Sequence, residues 1–418
     1  MSTPVVRPGD IPGDIPGHPA YLAAERDRLL DFAEASRHPL GFGWLDERGQ
    51  LDGTHPVELY LTCRMTHVIS LGVLLGRVGA AALAEHGVTA LAGSLRDQEH
   101  GGWFPAVTAS GPTGGTKAAY GHAFVVLAAS SAVAAGVPGA RDLLDDALAV
   151  QEEHFFDPAT GLVVEEWDAA WRVLDPYRGM NANMHTVEAY LAAADVTGDR
   201  RWAERAGGMA ARLVALAGGN GWRVPEHFDA DWNPVLDYNR DRPAHPFRPF
   251  GATVGHGLEW SRLLLSVDAA LGDDAPDGLV DAATSLFDRA VTDGWAADGT
   301  DGFVYTTDWD GVPIVRARMH WVLAEAVNAA ATLHRVTGAS RYRDHYDRWW
   351  VYADRYLIDR TNGSWHHELD PSGAPAATVW PGKPDVYHAF QATLVPLLPP
   401  APALSSALTP DVVTRLMG

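Results

Sequence analysis

Apolar residues recur at helical spacing in twelve segments of the chain, whereas the alternation expected of strands is nearly absent. The pattern predicts helices over 20–37, 57–77, 79–98, 116–136, 138–156, 181–197, 199–216, 253–272, 275–293, 315–337, 340–359 and 386–397. The gaps between them alternate in length. Five are tight turns such as VTGD and VTGAS, and the others are excursions of about 16 to 36 residues.

This alternation is a repeat whose units have diverged in sequence. Each unit is an outer helix, a long excursion and an inner helix. Six units predict an all-α fold, an (α/α)6 barrel of two concentric helical rings, with the long loops walling a pocket on one face. An open solenoid also stacks helix pairs, but its connections are short on both sides. Long loops in compact domains are usually functional. The expected organisation is a single catalytic domain over 1–418, with a flexible N-terminal arm at 1–18 (repeated GDIPG) and a Pro-rich C-terminal tail at 400–418.

Composition narrows the function. A formal charge of −21 argues against a nucleic-acid partner, which needs a basic stripe. No run reaches the roughly 18 apolar residues that span a bilayer, so no membrane partner is expected. The single cysteine, Cys63, fits a reducing, cytoplasmic location and reads as a buried small hydrophobe. Fifteen tryptophans are many for this length, and the excursions pair Gly with an aromatic: GGWF, NGWRVPEHF, DGFVYTTDWDG, NGSWHHELD. Such loops suit short hairpins that present rings to a sugar, although for any one Trp the commoner role is to plug the barrel.

The predicted inner helices carry polar groups near their loop-side ends, where a core helix should be apolar. These are Arg64 and His67; Tyr120 and His122; Asn181, Asn183, His185 and Glu188; His256 and Glu259; Arg316, Arg318, Trp321 and Glu325; and His388 and Gln391. Buried polar groups are costly unless paired, so six helices converging them on one axis imply a shared polar pocket. Metal-ligand spacings, a phosphate loop and a GxSxG elbow are all missing from the sequence, so no metal and no cofactor are expected. Histidines, arginines and glutamates remain. Proton transfer on a carbohydrate fits them first, and glycoside hydrolysis by two carboxylates second.

The stretches RGMNANMHTVEA, GHGLEWSRLLL, RARMHWVLAEA and GKPDVYHAFQATLVP together resemble the N-acylglucosamine 2-epimerase superfamily, in its mannose isomerase and sulfoquinovose isomerase branch. The resemblance runs from GFGWLD at 41–46 to PLLP at 396–399. It implies cofactor-free aldose–ketose isomerisation or 2-epimerisation of a monosaccharide. By resemblance, His388 exchanges the C2 proton, His256 assists ring opening opposite it, and Glu259 supports His256. Asn181 and His185 bind sugar hydroxyls, Arg64 lies near the reacting oxygens, and Arg318 and Trp321 fall in a matching motif. Tyr120 and Gln391 complete the expected substrate-binding set. Pro246 and Pro384 stand where sulfoquinovose-acting members carry polar side chains, which favours an uncharged hexose. The expectation is interconversion of D-mannose and D-fructose, with D-lyxose and D-xylulose as further substrates. The alternatives are a sugar 2-epimerase, a sulfoquinovose isomerase and, in a different class, an (α/α)6 glycoside hydrolase. Oligomeric state is not legible in the sequence.

Overall fold

The structure is a computed structural model and describes residues 18–417. The arm expected over 1–18 therefore lies outside the described residues, apart from His18. Twelve helices follow the predicted order: α1 (His18–Glu34), α2 (Leu59–Leu74), α3 (Ala80–Ala92), α4 (Ala119–Ala134), α5 (Ala140–Val150), α6 (Met180–Thr197), α7 (Arg201–Gly218), α8 (Val254–Leu271), α9 (Leu279–Gly294), α10 (His320–Thr337), α11 (Ser340–Tyr352) and α12 (Tyr387–Leu394). The even-numbered helices pack in chain order, and α12 returns to touch α2 and α1, which closes an inner ring. The odd-numbered helices form the outer ring. The fold is an (α/α)6 barrel.

The two rings differ as their sequences require. Outer helices bury one stripe: α7 buries Trp202, Ala203, Ala206, Met209, Ala210 and Leu213 and leaves its other face to solvent. Inner helices are enclosed nearly all round; in α10, every residue from Val322 to Leu333 is buried. Alanine and glycine on these helices let six backbones crowd round one axis at interior packing density.

Five of the six inner helices begin later than their periodicity suggests, and α6 begins one residue earlier. Thr116–Ala118 and Arg318–Met319, expected as helix, are extended and pair with Glu166–Asp168 and Glu368–Leu369 in the following excursions. Extended residues paired with the following excursion also precede α2, α6 and α8. The first helical amide of each then donates to the next excursion: Leu59 to the Pro105 carbonyl, Ala119 to Glu165, Met180 to Glu226, Val254 to Tyr305 and His320 to His367. These helix starts have no side-chain caps, so the excursions satisfy amides that would otherwise be orphaned. At the sixth, Asp385 accepts from the Tyr387 amide, and the Lys383 amide donates to Leu45 in the first excursion.

Each accepting residue lies three to five positions after a turn glycine, namely Gly102, Gly161, Gly221, Gly302 or Gly363. All five glycines have φ between 62° and 107°, a region that side chains rarely adopt. Three excursions are also pinned by a buried cation. Lys117 bonds Asp97 at 2.7 Å, Lys383 bonds Asp359 at 2.6 Å, and Arg318 grips Asp298 through both Nη atoms. Residues 400–417 are not a loose tail. Helices α13 (Leu404–Ala407) and α14 (Pro410–Met417) follow the barrel, and α13 packs on α2, α4 and α6.

Breaking one of these buried pairs leaves an uncompensated charge. Asp97→Ala should cost about 3 kcal/mol of stability, read as a lowered unfolding midpoint. Replacing Lys117 and Asp97 together by Met and Leu should recover much of the loss. A single variant as stable as the parent would contradict the assigned role.

Candidate active site

The mouth of the inner ring opens into a cavity lined by side chains from α2, α4, α6, α8, α10 and α12 and from the excursions. Its chemistry is organised around histidines whose Nδ1 atoms are tied down. His388 Nδ1 lies 2.9 Å from Glu325 Oε1, and Arg262 Nε donates to the other oxygen of Glu325 at 3.1 Å. Glu325 is wholly buried. Its carboxylate thus accepts from both partners, Nδ1 carries the proton, and His388 keeps its lone pair on Nε2. Burial, reinforced by the charge of Arg64, holds the His388 pKa well below that of a free imidazole, so the ring is neutral at neutral pH.

His256 repeats the device with a different partner. Its Nδ1 lies 2.9 Å from Glu226 Oε1. The expectation that Glu259 supports His256 is therefore corrected. The residues are one turn apart on α8, but His256 turns to the excursion strand while Glu259 faces the barrel axis. Trp321 stands between the two histidines, its ring 5.4 Å from that of His256 and 5.6 Å from that of His388.

Arg64 donates to Asp385 at 3.1 Å and to the Tyr120 hydroxyl at 2.9 Å, over the ring of Phe124. Burial alone would raise the Asp385 pKa, but the charge of Arg64 outweighs it and keeps the carboxylate ionised. Among the described residues, Arg64 is the one lysine or arginine lining the cavity.

In the cavity wall, His185 Nδ1 lies 3.7 Å from Glu188 and 3.8 Å from Glu259. Burial lowers the His185 pKa to about 4. Burial, and then the charge of Glu325, push the Glu259 pKa well up, which favours the protonated carboxyl. His185, Glu188 and Glu259 offer three ligand atoms within 4.8 Å of one another, a spacing a metal ion could use. The Tyr387 hydroxyl already donates to one oxygen of Glu188, and Arg262 Nη2 lies 3.7 Å from the other, so both oxygens of Glu188 already face a partner.

Of the residues expected from sequence, Arg64, Tyr120, Asn181, His185, His256, Glu259, Trp321 and His388 line the cavity. Two do not. Arg318 is spent on Asp298, and Gln391 lies below the cavity with its amide 3.5 Å from Glu188. His122 is also structural, accepting from the Trp103 amide. Of the loop aromatics, Tyr305 lines the cavity while Trp103 and Trp365 are sealed in the core. Glu226, Asp385, His320 and His367 were not anticipated. Glu226 and His367 could have been found as the residues three to five positions beyond a turn glycine.

The family model of N-acylglucosamine 2-epimerase (GlcNAc 2-epimerase) matches residues 41–392. The chain belongs to the N-acylglucosamine 2-epimerase family. Within the family, a D-mannose isomerase of Thermobifida fusca is 56% identical over 395 residues, covering 94% of this chain and 97% of that protein. A D-mannose isomerase of Pseudomonas cannabina pv. alisalensis is 48% identical, covering 94% and 95%. Among solved structures, a D-mannose isomerase superposes with a TM-score of 0.85 at 28% identity, over 92% of this chain and 99% of that one.

The Glu226 contact carries a prediction for this family member. Glu226→Gln preserves the shape but not the charge that holds Nδ1–H on His256. Turnover should fall about 100-fold or more, with KM changing far less, as when the carboxylate of a His–carboxylate pair is neutralised. Steady-state kinetics on the relatives' substrate checks this, and an unchanged kcat would contradict it.

Proposed function

We propose that the protein is an aldose–ketose isomerase that interconverts D-mannose and D-fructose, with D-lyxose and D-xylulose as further substrates. The observation that carries this reading is the pair of carboxylate-held histidines, His388 and His256, with Nε2 lone pairs facing one cavity across Trp321. The similarity to D-mannose isomerases along nearly the whole chain supports it.

The mechanism follows from what each group can hold. His256 Nε2 takes the anomeric hydroxyl proton as the pyranose opens, giving the open-chain aldehyde. His388 Nε2 then removes the proton from C2, and the electron pair forms the C1–C2 double bond while the carbonyl electrons move onto O1. Arg64 stabilises the resulting cis-enediolate. Glu325, on the far side of His388, stabilises the imidazolium. Glu259, whose pKa burial pushes up, gives its proton to the ring oxygen as the pyranose opens, and the proton held by His256 passes to O1. The O2 hydroxyl proton then returns to Glu259 as the C2–O2 double bond forms, and His388 delivers its proton to C1, giving the ketose. No step needs a metal, a redox cofactor or a second substrate. The work fits a reducing cytoplasm, where the buried thiol of Cys63 stays inert.

Two features speak for an uncharged sugar. Pro246 and Pro384 form part of the cavity wall, and among the described residues Arg64 is the one lysine or arginine lining it. With Arg64 assigned to the enediolate oxygens, a sulfonate or phosphate elsewhere on the sugar would find no second lysine or arginine among the described lining residues. Against hydrolysis, Glu226 and Glu325 are bound to histidines rather than placed singly on either side of a bond. Epimerisation at C2 would use the same groups, with the proton returned to the opposite face.

His388→Ala should lower kcat by about three orders of magnitude or more and leave D-mannose binding by calorimetry nearly intact. A variant turning over at a near-parental rate would remove His388 as the base. A proton NMR time course of D-mannose in D2O with EDTA should give fructose as the main early product. Glucose deuterated at C2 appearing first would favour the epimerase. Loss of activity in EDTA, restored by a divalent cation, would assign the His185–Glu188–Glu259 cluster to a metal.

A further inference from the structure

His320 opens α10 directly before Trp321, and the mechanism above does not use it. Its ring lines the cavity, 6.5 Å from that of His388, and stacks on His367 with centroids 3.9 Å apart. Nδ1 lies 3.3 Å from the His367 carbonyl oxygen, which can only accept, so Nδ1 carries the proton. His367 is held in turn by its Nε2, which donates to the Asp385 carbonyl at 3.1 Å. The stacked pair is thus fixed from behind. His320 Nε2 is left as a lone-pair nitrogen, buried and without a hydrogen-bond partner. A buried polar atom left unpaired costs free energy, and in a rigid substrate cavity the usual reason is that the ligand pairs it.

The direction of that pairing is set. A neutral imidazole nitrogen without a proton accepts a hydrogen bond and repels an anion. Burial lowers the His320 pKa to about 4, so the lone pair persists at neutral pH. The reacting carbons, C1 and C2, must lie by the Nε2 atoms of His388 and His256. His320 continues the arc of rings past His388, alongside Asp385, and so faces the part of the sugar beyond C2.

Resting on the isomerase reading, we propose that His320 is a substrate-specificity residue whose Nε2 accepts a hydrogen bond from one sugar hydroxyl beyond C2. The contact is present in both ground and transition states, so it acts on binding more than on the chemical step.

The test uses the full-length protein, D-mannose, and a set of D-mannose analogues each lacking one hydroxyl at C3 to C6. With the unaltered protein, one analogue should lose about 10-fold or more in kcat/KM. In His320→Phe that same penalty should collapse to about 2-fold or less, while KM for D-mannose rises about 10-fold and kcat stays within a few-fold. His320→Gln, whose amide oxygen can accept, should fall between the two. If the phenylalanine ring prevents folding, His320→Ala carries the same comparison. A merely structural histidine would lower thermal stability without altering the pattern across the analogues. Identical penalties in the unaltered and altered proteins, or an unchanged KM for D-mannose, would overturn the assignment of His320 alone. Failure of the unaltered protein to convert D-mannose would sink the isomerase reading and this inference with it.

Discussion

Everything at the mouth of this barrel depends on one backbone hydrogen bond, repeated from unit to unit. The first amide of each inner helix, with no capping side chain, donates to a carbonyl in the next excursion. That bond joins neighbouring units, fixes where the helix begins and holds the accepting residue at the rim of the cavity. The side chains at that position then differ: proline at 105, glutamate at 165 and 226, tyrosine at 305 and histidine at 367. One scaffold thus places four residue types at five equivalent positions, of which Tyr305 and His367 line the cavity. The glycine a few residues earlier is required because the turn that delivers the carbonyl has positive φ.

Beneath that rim, charge is stacked along the barrel axis. Glu188, Glu325 and Arg262 sit below the histidines, with Glu259 beside them. Such groups are expensive to bury, and Glu188, Glu325 and Arg262 persist here because each has a partner: Arg262 bonds Glu325, Glu325 bonds His388 and Tyr387 bonds Glu188. The consequence is orientation. A carboxylate behind each of the two central imidazoles selects the tautomer with its lone pair on the cavity side. The same carboxylates also place negative charge where an imidazolium forms.

The helices were legible in the sequence because helical periodicity survives in both rings, and the barrel was legible because the gaps alternate. The starts of α4 and α10 were misread by three to five residues. There the chain is apolar enough to continue a helix, yet it is recruited into a ladder with a distant excursion, a pairing that local pattern does not encode. Site residues on inner helices were found because polar groups on a buried helix stand out. Glu226 was missed because an excursion has no periodicity against which a glutamate looks unusual. Arg318 was overvalued for the opposite reason. It lies in a motif of family character, but it occupies the place Lys117 holds in an earlier unit and serves the same pinning role. Glu259 looked like the partner of His256 because residues three apart share a helix face, and sequence spacing could not reveal the competing carboxylate 30 positions upstream.

The central claim is that Glu325 and Glu226 hold His388 and His256 as Nδ1–H tautomers with free Nε2 atoms. Nitrogen-15 NMR of histidine-labelled protein reads this directly, with the two residues assigned by their spectral loss in single-site variants. The account predicts, for both residues, an Nε2 resonance in the range of an unprotonated ring nitrogen and an Nδ1 resonance in the protonated range at neutral pH. An Nε2–H tautomer at either histidine would contradict it.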